Sequence, residues 1–234
     1  MQKRACGGYF TNVMQLHLKL HREVLSIRCA DMESMLHTKG FELVCGIDEV
    51  GRGPLAGPVV AAAVVLPAGV KIEGLNDSKK LLVSERERLF EEMVALDIPM
   101  SIGVIDHQGI DSMNILRASL MAMRKAVSGL KLTPEILLID GNQQIPKMAI
   151  PQVTIVGGDG KCDCIAAASI VAKVTRDRIM TDYQTLFPQF TFGLHKGYST
   201  AKHLLELKEH GPCEIHRRSY RPVAELLLDN PVLF

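Results

Sequence analysis

Phe41-Glu-Leu-Val-Cys-Gly-Ile-Asp-Glu-Val-Gly-Arg-Gly-Pro54, followed closely by Pro58-Val-Val-Ala-Ala-Ala-Val-Val-Leu66, is the stretch that decides the fold. Its first part is apolar up to Ile47 and reads as a strand, with Asp48 and Glu49 near its end. Gly51-Arg52-Gly53-Pro54 must then turn, because two glycines and a proline suit neither a helix nor a central strand. Pro58 to Leu66 is rich in β-branched residues and bounded by prolines, the composition of a buried strand.

Working outward, Ser101 to Ile105, Glu135-Ile-Leu-Leu-Ile-Asp140 and Gln152 to Val156 read as further strands. Helices are expected between and after them. One starts at Ser84-Glu85-Arg86-Glu87, read as a capping box in which Ser84 and Glu87 satisfy each other's amides, with Leu89, Phe90, Met93 and Val94 on one face. A second spans Asp111 to Leu130. A third runs from Asp163 through Ala166, Ala167, Ala168 and Ala172, whose small side chains allow close packing on a sheet. Ser199 or Thr200 caps another, ended by Gly211, and a last helix follows Pro222. Strands alternating with helices make an α/β fold with a mixed sheet. Residues 1–38 read as an N-terminal extension.

The chain has 234 residues, 47% hydrophobic, with 27 Lys and Arg against 26 Asp and Glu. That suits a folded globular domain with ample core and excludes a disordered chain. The net charge of +1 is uninformative about partners, since a nucleic-acid binder needs only a local basic surface. The six cysteines are scattered and fit reduced, buried thiols; Cys162-Asp163-Cys164 lacks the second close pair that a zinc site needs. No apolar run reaches the roughly 20 residues that span a bilayer. His17, Lys19, His21, Arg22 and Glu23 interrupt the apolar N-terminal residues, so no signal-peptide core is read, and a cytoplasmic monomer is expected.

The placing of the acids is the most informative pattern. Asp48, Glu49, Asp140 and Asp159 each lie at or just past the end of an apolar strand, beside glycine. A single Asp in such a place is usually a turn or a helix cap. Several together are different, because burying an uncompensated carboxylate costs on the order of several kcal/mol. Cations would neutralise such a group, and Mg²⁺ and Mn²⁺ take hard oxygen ligands. Two ions held ~4 Å apart by carboxylates form a phosphoryl-transfer site. A competing pattern, Gly51-Arg-Gly-Pro-Leu-Ala56, matches the G-x-G-x-x-G/A dinucleotide fingerprint. Asp48 and Glu49 would repel a pyrophosphate there, and the segment that follows reads as a strand where that motif needs a helix.

Six segments occur in the order found in bacterial ribonuclease HII: Ile47-Asp-Glu-Val-Gly-Arg-Gly53, Leu75-Asn-Asp-Ser-Lys-Lys-Leu81, Leu138-Ile-Asp-Gly-Asn142, Ala166-Ala-Ala-Ser-Ile-Val-Ala-Lys-Val-Thr-Arg-Asp177, His195-Lys-Gly-Tyr198 and His216-Arg-Arg-Ser219. The chain resembles that family over roughly residues 43–228. The resemblance implies an RNase H-like mixed sheet flanked by helices over residues 39–190, with a C-terminal helical substrate-binding region over residues 191–234. It implies an endonuclease that acts on RNA–DNA hybrids and cuts 5′ of ribonucleotides embedded in duplex DNA, leaving 3′-hydroxyl and 5′-phosphate ends.

By the same resemblance Asp48, Glu49, Asp140 and Asp159 match the metal-site carboxylates, with two Mn²⁺ or Mg²⁺ ions acting in catalysis. Gly51, Arg52 and Gly53 match the turn that reads the ribose 2′-hydroxyl through backbone groups, and Tyr198 matches a tyrosine that stacks on the next sugar. Lys79, Lys80, Lys173, Arg176 and Lys196 are phosphate-contact candidates. Asp177 and Arg178 are read as a helix-surface ion pair, and His195 and His216 as active-site assistants or satisfied structural histidines. The family often carries lysine where Gly157 stands, and Lys161 is the nearby basic residue that could replace it. Two other functions are weighed: a hybrid-binding module that does not cut, and a nucleotide-cofactor enzyme built on the Gly51–Ala56 loop.

Overall fold

The computed structural model describes residues 32–76 and 78–229. Most of the N-terminal extension, Asp77 and the last five residues lie outside them. Five strands form one sheet in the order β3-β2-β1-β4-β5: β1 (Val44–Val50), β2 (Val59–Val65), β3 (Met100–Ile105), β4 (Ile136–Asp140) and β5 (Gln152–Ile155). β1–β2 and β2–β3 are antiparallel, while β1–β4 and β4–β5 are parallel. The sheet is therefore mixed, as the α/β reading expected. β1 and β2 form a hairpin across the glycine-rich turn, which removes the strand-turn-helix geometry a dinucleotide fingerprint requires.

The two faces of the sheet bury different helices. Val44, Ala62, Val64, Ile136, Leu138 and Val153 face a layer made by α1 (Met32–Thr38), α2 (Val83–Ala95) and the long α5 (Asp163–Leu186). Cys45, Ile47, Ala61, Ala63, Leu137 and Ile139 face α4 (Ile115–Ser128), with α3 (His107–Met113) before it. The alternation is the period-2 pleat of a strand. Residues 32–38, placed with the extension above, contribute Met32 and Leu36 to the first layer. α5 lies unusually close to β1: a Cβ at Gly46 would sit 2.1 Å from the backbone carbon of Cys164, so only glycine admits the helix there.

α6 (Phe192–His195), α7 (Ala201–His210) and α8 (Arg221–Asp229) build the C-terminal region. Its core of Phe190, Phe192, Leu207, Ile215, Val223 and Leu227 closes on Leu55, Ala56 and Met180. Thr200 caps α7 by accepting the His203 N–H, and Gly211 ends it at φ 69°.

Three local readings are corrected. The helix expected over Asp111–Leu130 is two helices, broken at Asn114, whose φ of 72° interrupts the first and whose side chain caps the second through Arg117 N–H. The capping of the helix read from Ser84 starts two residues earlier: Glu85, not Glu87, accepts the N–H of Leu82. Glu87 is used elsewhere, with Glu91, to pair with Arg178. Asp177 accordingly pairs not with Arg178 but with Lys173, one helical turn back, at 2.7 Å.

Candidate active site

Parallel pairing of β1 with β4 sets Ile47 beside Ile139, which carries Asp48 and Asp140 to neighbouring strand ends on the α5 face. Asp48 is buried at 6% exposure, between the sheet and Ser169 of α5. Its carboxylate accepts the Glu49 N–H at 2.7 Å and a hydrogen bond from the Ser169 hydroxyl. Ser169 Oγ in turn lies 2.8 Å from Ser78 Oγ, so the loop bearing Lys79 is fastened to the same point.

Glu49 is the next residue along an extended strand and so starts on the opposite face. Its carboxylate still feels Asp140, and Arg52 of the glycine turn pairs with it at 3.3 Å. Asp140 accepts the Gly158 N–H at 2.7 Å, which holds the short 3₁₀ turn Gly158–Gly160 against β4. That turn carries Asp159, buried at 7% exposure, and Lys79 pairs with it at 3.3 Å. Lys161, the candidate to replace a lysine at position 157, donates to the Val156 carbonyl at 2.6 Å.

The electrostatics of this array are unfavourable as it stands. Burial raises Asp48 well above the ordinary carboxylate range, and Glu49 and Asp140 add to the rise. Burial also raises Glu49, against the opposing pull of Arg52, and raises Asp140, with Asp159 adding repulsion. Four carboxylates thus run as a continuous chain of mutual repulsion across three strand ends. Among the described residues, no three His, Cys, Asp or Glu side chains are gathered tightly enough to hold a metal ion as they stand. The donor set nevertheless fits one: hard oxygens, buried or half-buried, repelling one another and short of positive charge, which a divalent cation would supply.

The glycine turn borders this array. Gly51 is buried at φ 95°, where a Cβ would strike the Arg176 side chain at 2.3 Å. Gly53 is exposed, and a Cβ on it would lie 3.9 Å from a ring carbon of Tyr198, so the turn and Tyr198 are neighbours. Leu55 N–H donates to the Gly197 carbonyl and Arg217 N–H to the Leu55 carbonyl, both at 2.8 Å, tying three distant segments into one wall. The chain belongs to the ribonuclease HII family.

The family model described as ribonuclease HII matches residues 45–223, which includes the acidic array, the glycine turn and the wall behind it. A ribonuclease HII from Burkholderia mallei (strain SAVP1) is 54% identical over 184 residues, 79% of this chain and 86% of that protein. The crystal structure of the ribonuclease H2 from Pyrococcus horikoshii OT3 superposes with a TM-score of 0.65 at 26% identity, covering 80% of this chain and 98% of that one. The fold is likewise that of Bst-RNase HIII, solved in complex with Mn²⁺, with a TM-score of 0.64 at 19% identity over 82% of this chain and 71% of that one. This is a family of hydrolytic endonucleases, and the α/β fold is RNase H-like. Among the described residues no helix is long and apolar enough to cross a membrane.

The basic candidates divide. Lys79 and Lys80 are exposed on the loop that reaches Asp159. Lys173 and Lys196 line a different groove, between α2, α5 and α6, whose lining contains none of the four carboxylates. Arg176 is no phosphate contact: it is fully buried and donates to the carbonyls of Pro58, Lys196 and Ala56. The histidines resolve as structural. His195 Nε2 meets Glu206 at 2.9 Å, and its Nδ1 accepts the Gly197 N–H. His216 Nδ1 accepts the Cys213 N–H, leaving its Nε2 proton for His203 Nε2 at 3.0 Å and the His203 Nδ1 proton for the Tyr198 carbonyl. The tautomers follow from the amide donors, and every ring is satisfied while neutral. Ser169, Arg217 and His203 were missed as site neighbours. Only His203 is absent from the six segments that carry the resemblance, and no spacing rule points to any of the three.

Proposed function

We propose that this chain cuts the RNA strand of RNA–DNA hybrids and cuts on the 5′ side of ribonucleotides embedded in duplex DNA, by metal-dependent phosphodiester hydrolysis that leaves a 3′-hydroxyl and a 5′-phosphate. The observation that carries the reading is the adjacency of two unlike surfaces. One is the acidic array; the other, joined to it by the Glu49–Arg52 pair, is the glycine turn with Tyr198 alongside. The first suits cations and a phosphate, and the second suits a sugar.

Asp48 and Asp140 are assigned as direct holders of a Mg²⁺ or Mn²⁺ ion, Glu49 as a ligand once substrate is present, and Asp159 as the completion of a second position. Ions bound there would neutralise charge at the scissile phosphate and make a water molecule a better nucleophile. The chain's own residues position the rest. Ser169 fixes the Asp48 carboxylate, and the Gly158 N–H fixes that of Asp140. The backbone of Gly51, Arg52 and Gly53 approaches the sugar and reads the 2′-hydroxyl, the group that separates RNA from DNA. Tyr198 offers its exposed ring to the following sugar. Lys79 and Lys80 lie where backbone phosphates would approach the array, while Lys173 and Lys196 would meet a more distant part of the duplex.

The test uses a DNA duplex with one ribonucleotide and, separately, a continuous RNA–DNA hybrid, each incubated with Mg²⁺ or Mn²⁺ and then with chelator. Cleavage of both, abolished by chelator and with 5′-phosphate on the downstream product, is expected. The competing reading is a module that holds hybrids without cutting them. Tight hybrid binding with no metal-dependent product would make that reading the better one.

A further inference from the structure

Two guanidinium groups are completely buried directly behind the glycine turn, and among the described residues neither has a carboxylate within ion-pair distance. Burying an unpaired charge is costly unless its hydrogen bonds are met in full. Both meet them almost wholly with backbone carbonyls. Arg217 donates from Nη2 to the Gly51 carbonyl at 2.6 Å, from Nη1 to the Arg52 carbonyl at 2.9 Å, and from Nε and Nη2 to the Gly57 carbonyl at 3.0 and 2.9 Å. Nη1 also donates to the Tyr220 hydroxyl, which passes its own proton to the Arg52 carbonyl at 2.6 Å. Arg176 holds the next carbonyls, those of Ala56 and Pro58.

The consequence follows from peptide geometry. In a trans peptide the C=O of one residue and the N–H of the next point in opposite directions. Drawing the Gly51 and Arg52 carbonyls inward onto Arg217 therefore turns the N–H groups of Arg52 and Gly53 away from it. Those are amides of the turn that borders Tyr198 and the acidic array. A positive charge on the carbonyl side also polarises each peptide and strengthens the opposite N–H as a donor.

We propose that Arg217, with the Tyr220 hydroxyl, is a specificity-determining positioning residue: it fixes and polarises the Arg52 and Gly53 amides so that they favour a 2′-hydroxyl over a 2′-hydrogen. The inference rests on the function proposed above. Arg217 touches no substrate; it acts through the turn. Asp111 accepts the backbone N–H groups of Arg218 and Ser219 and pins the segment that delivers Arg217.

The experiment measures binding by the full chain carrying Asp140→Asn, so that substrate is not cut, to two Mg²⁺-containing samples: a DNA duplex with one ribonucleotide and the same duplex with none. The parent should bind the first more tightly. Arg217→Lys, which keeps the charge but loses the fork, should weaken binding to the ribonucleotide duplex by about tenfold, the worth of one hydrogen bond, and leave the all-DNA affinity unchanged. Tyr220→Phe removes one hydroxyl and should narrow the preference by roughly threefold. If Arg217→Lys gives no cooperative melt, Tyr220→Phe decides alone. An unchanged preference, or equal weakening for both duplexes, overturns the assignment to Arg217. A parent with no preference at all overturns the functional reading instead, so the two failures are distinguishable.

Discussion

At the strand ends, buried Asp48 and half-buried Glu49 and Asp140 lie beside one another with too little positive charge, and each holds its proton more tightly than an ordinary carboxylate. In the C-terminal region His195, His203 and His216 are as deeply buried, yet each ring nitrogen has a partner and burial drives all three toward the neutral form. Both clusters are polar and both sit beside the glycine turn. One is unbalanced, the other closed. A polar cluster that lacks compensation is a place for something from outside the chain, whereas one that balances itself is scaffold.

The contrast breaks most visibly in Asp140→Asn. Cleavage should fall by roughly 10³-fold or more, because the variant removes a charge that the proposed mechanism uses to hold a cation, while the melting temperature stays level or rises with the loss of repulsion. Normal cutting by this variant would remove Asp140 from the site. The opposite result is expected from His203→Ala, which strands the His216 Nε2 proton and the Tyr198 carbonyl. It should lower unfolding free energy by about 3 kcal/mol in urea titrations. A change below about 1 kcal/mol would mean that the cluster is not the scaffold described.

Divalent cations sharpen the difference further. Mg²⁺ or Mn²⁺ at about 100 times its dissociation constant should raise stability by about 2.7 kcal/mol if it binds only the folded chain. The rise should vanish in Asp48→Asn and persist in His203→Ala, as followed by thermal melts with and without chelator.

The smallest effect concerns pH. Unfolded histidines take up protons near 6.5, but the folded His203 and His216 do so only at about 4 and about 3. Between those limits the unfolded state binds more protons, so their contribution is full above about 6.5 and is lost as the solution is acidified. The carboxylates of the acidic array act in the reverse sense, since a raised folded pKa means that acidification relieves them. Asp140→Asn removes part of that relief and should show a steeper fall in melting temperature from pH 6.5 to 4 than the unaltered chain. A shallower fall would contradict the assignment.

Much of this was legible from residues alone, for a physical reason. Runs such as Ile136 to Ile139 and Val59–Val65 are buried on both faces, so composition marks them without help from any partner. The acids at their ends stood out because a carboxylate beside buried aliphatics is conspicuous. What stayed hidden depends on distant segments. Arg176 reads as a phosphate-contact candidate because nothing local shows that its partners are the carbonyls of Ala56, Pro58 and Lys196. Lys173 takes Asp177 because Arg178 is drawn across to α2. The break at Asn114 escaped notice because Ile115 and Leu116 continue an apolar pattern through it, and periodicity says nothing of one residue at positive φ.

Gly46 sets a mechanical tolerance on all of this. With no side chain between them, β1 and the first turn of α5 are in direct backbone contact, and α5 is a rod of 24 residues. A single methyl inserted at position 46 would act as a shim under one end of that rod. The far end would swing, and Ser169 and Arg176, spaced along it, would both come out of alignment with the pieces they locate. One missing carbon atom, two residues before Asp48, therefore calibrates both the acidic pocket and the glycine turn.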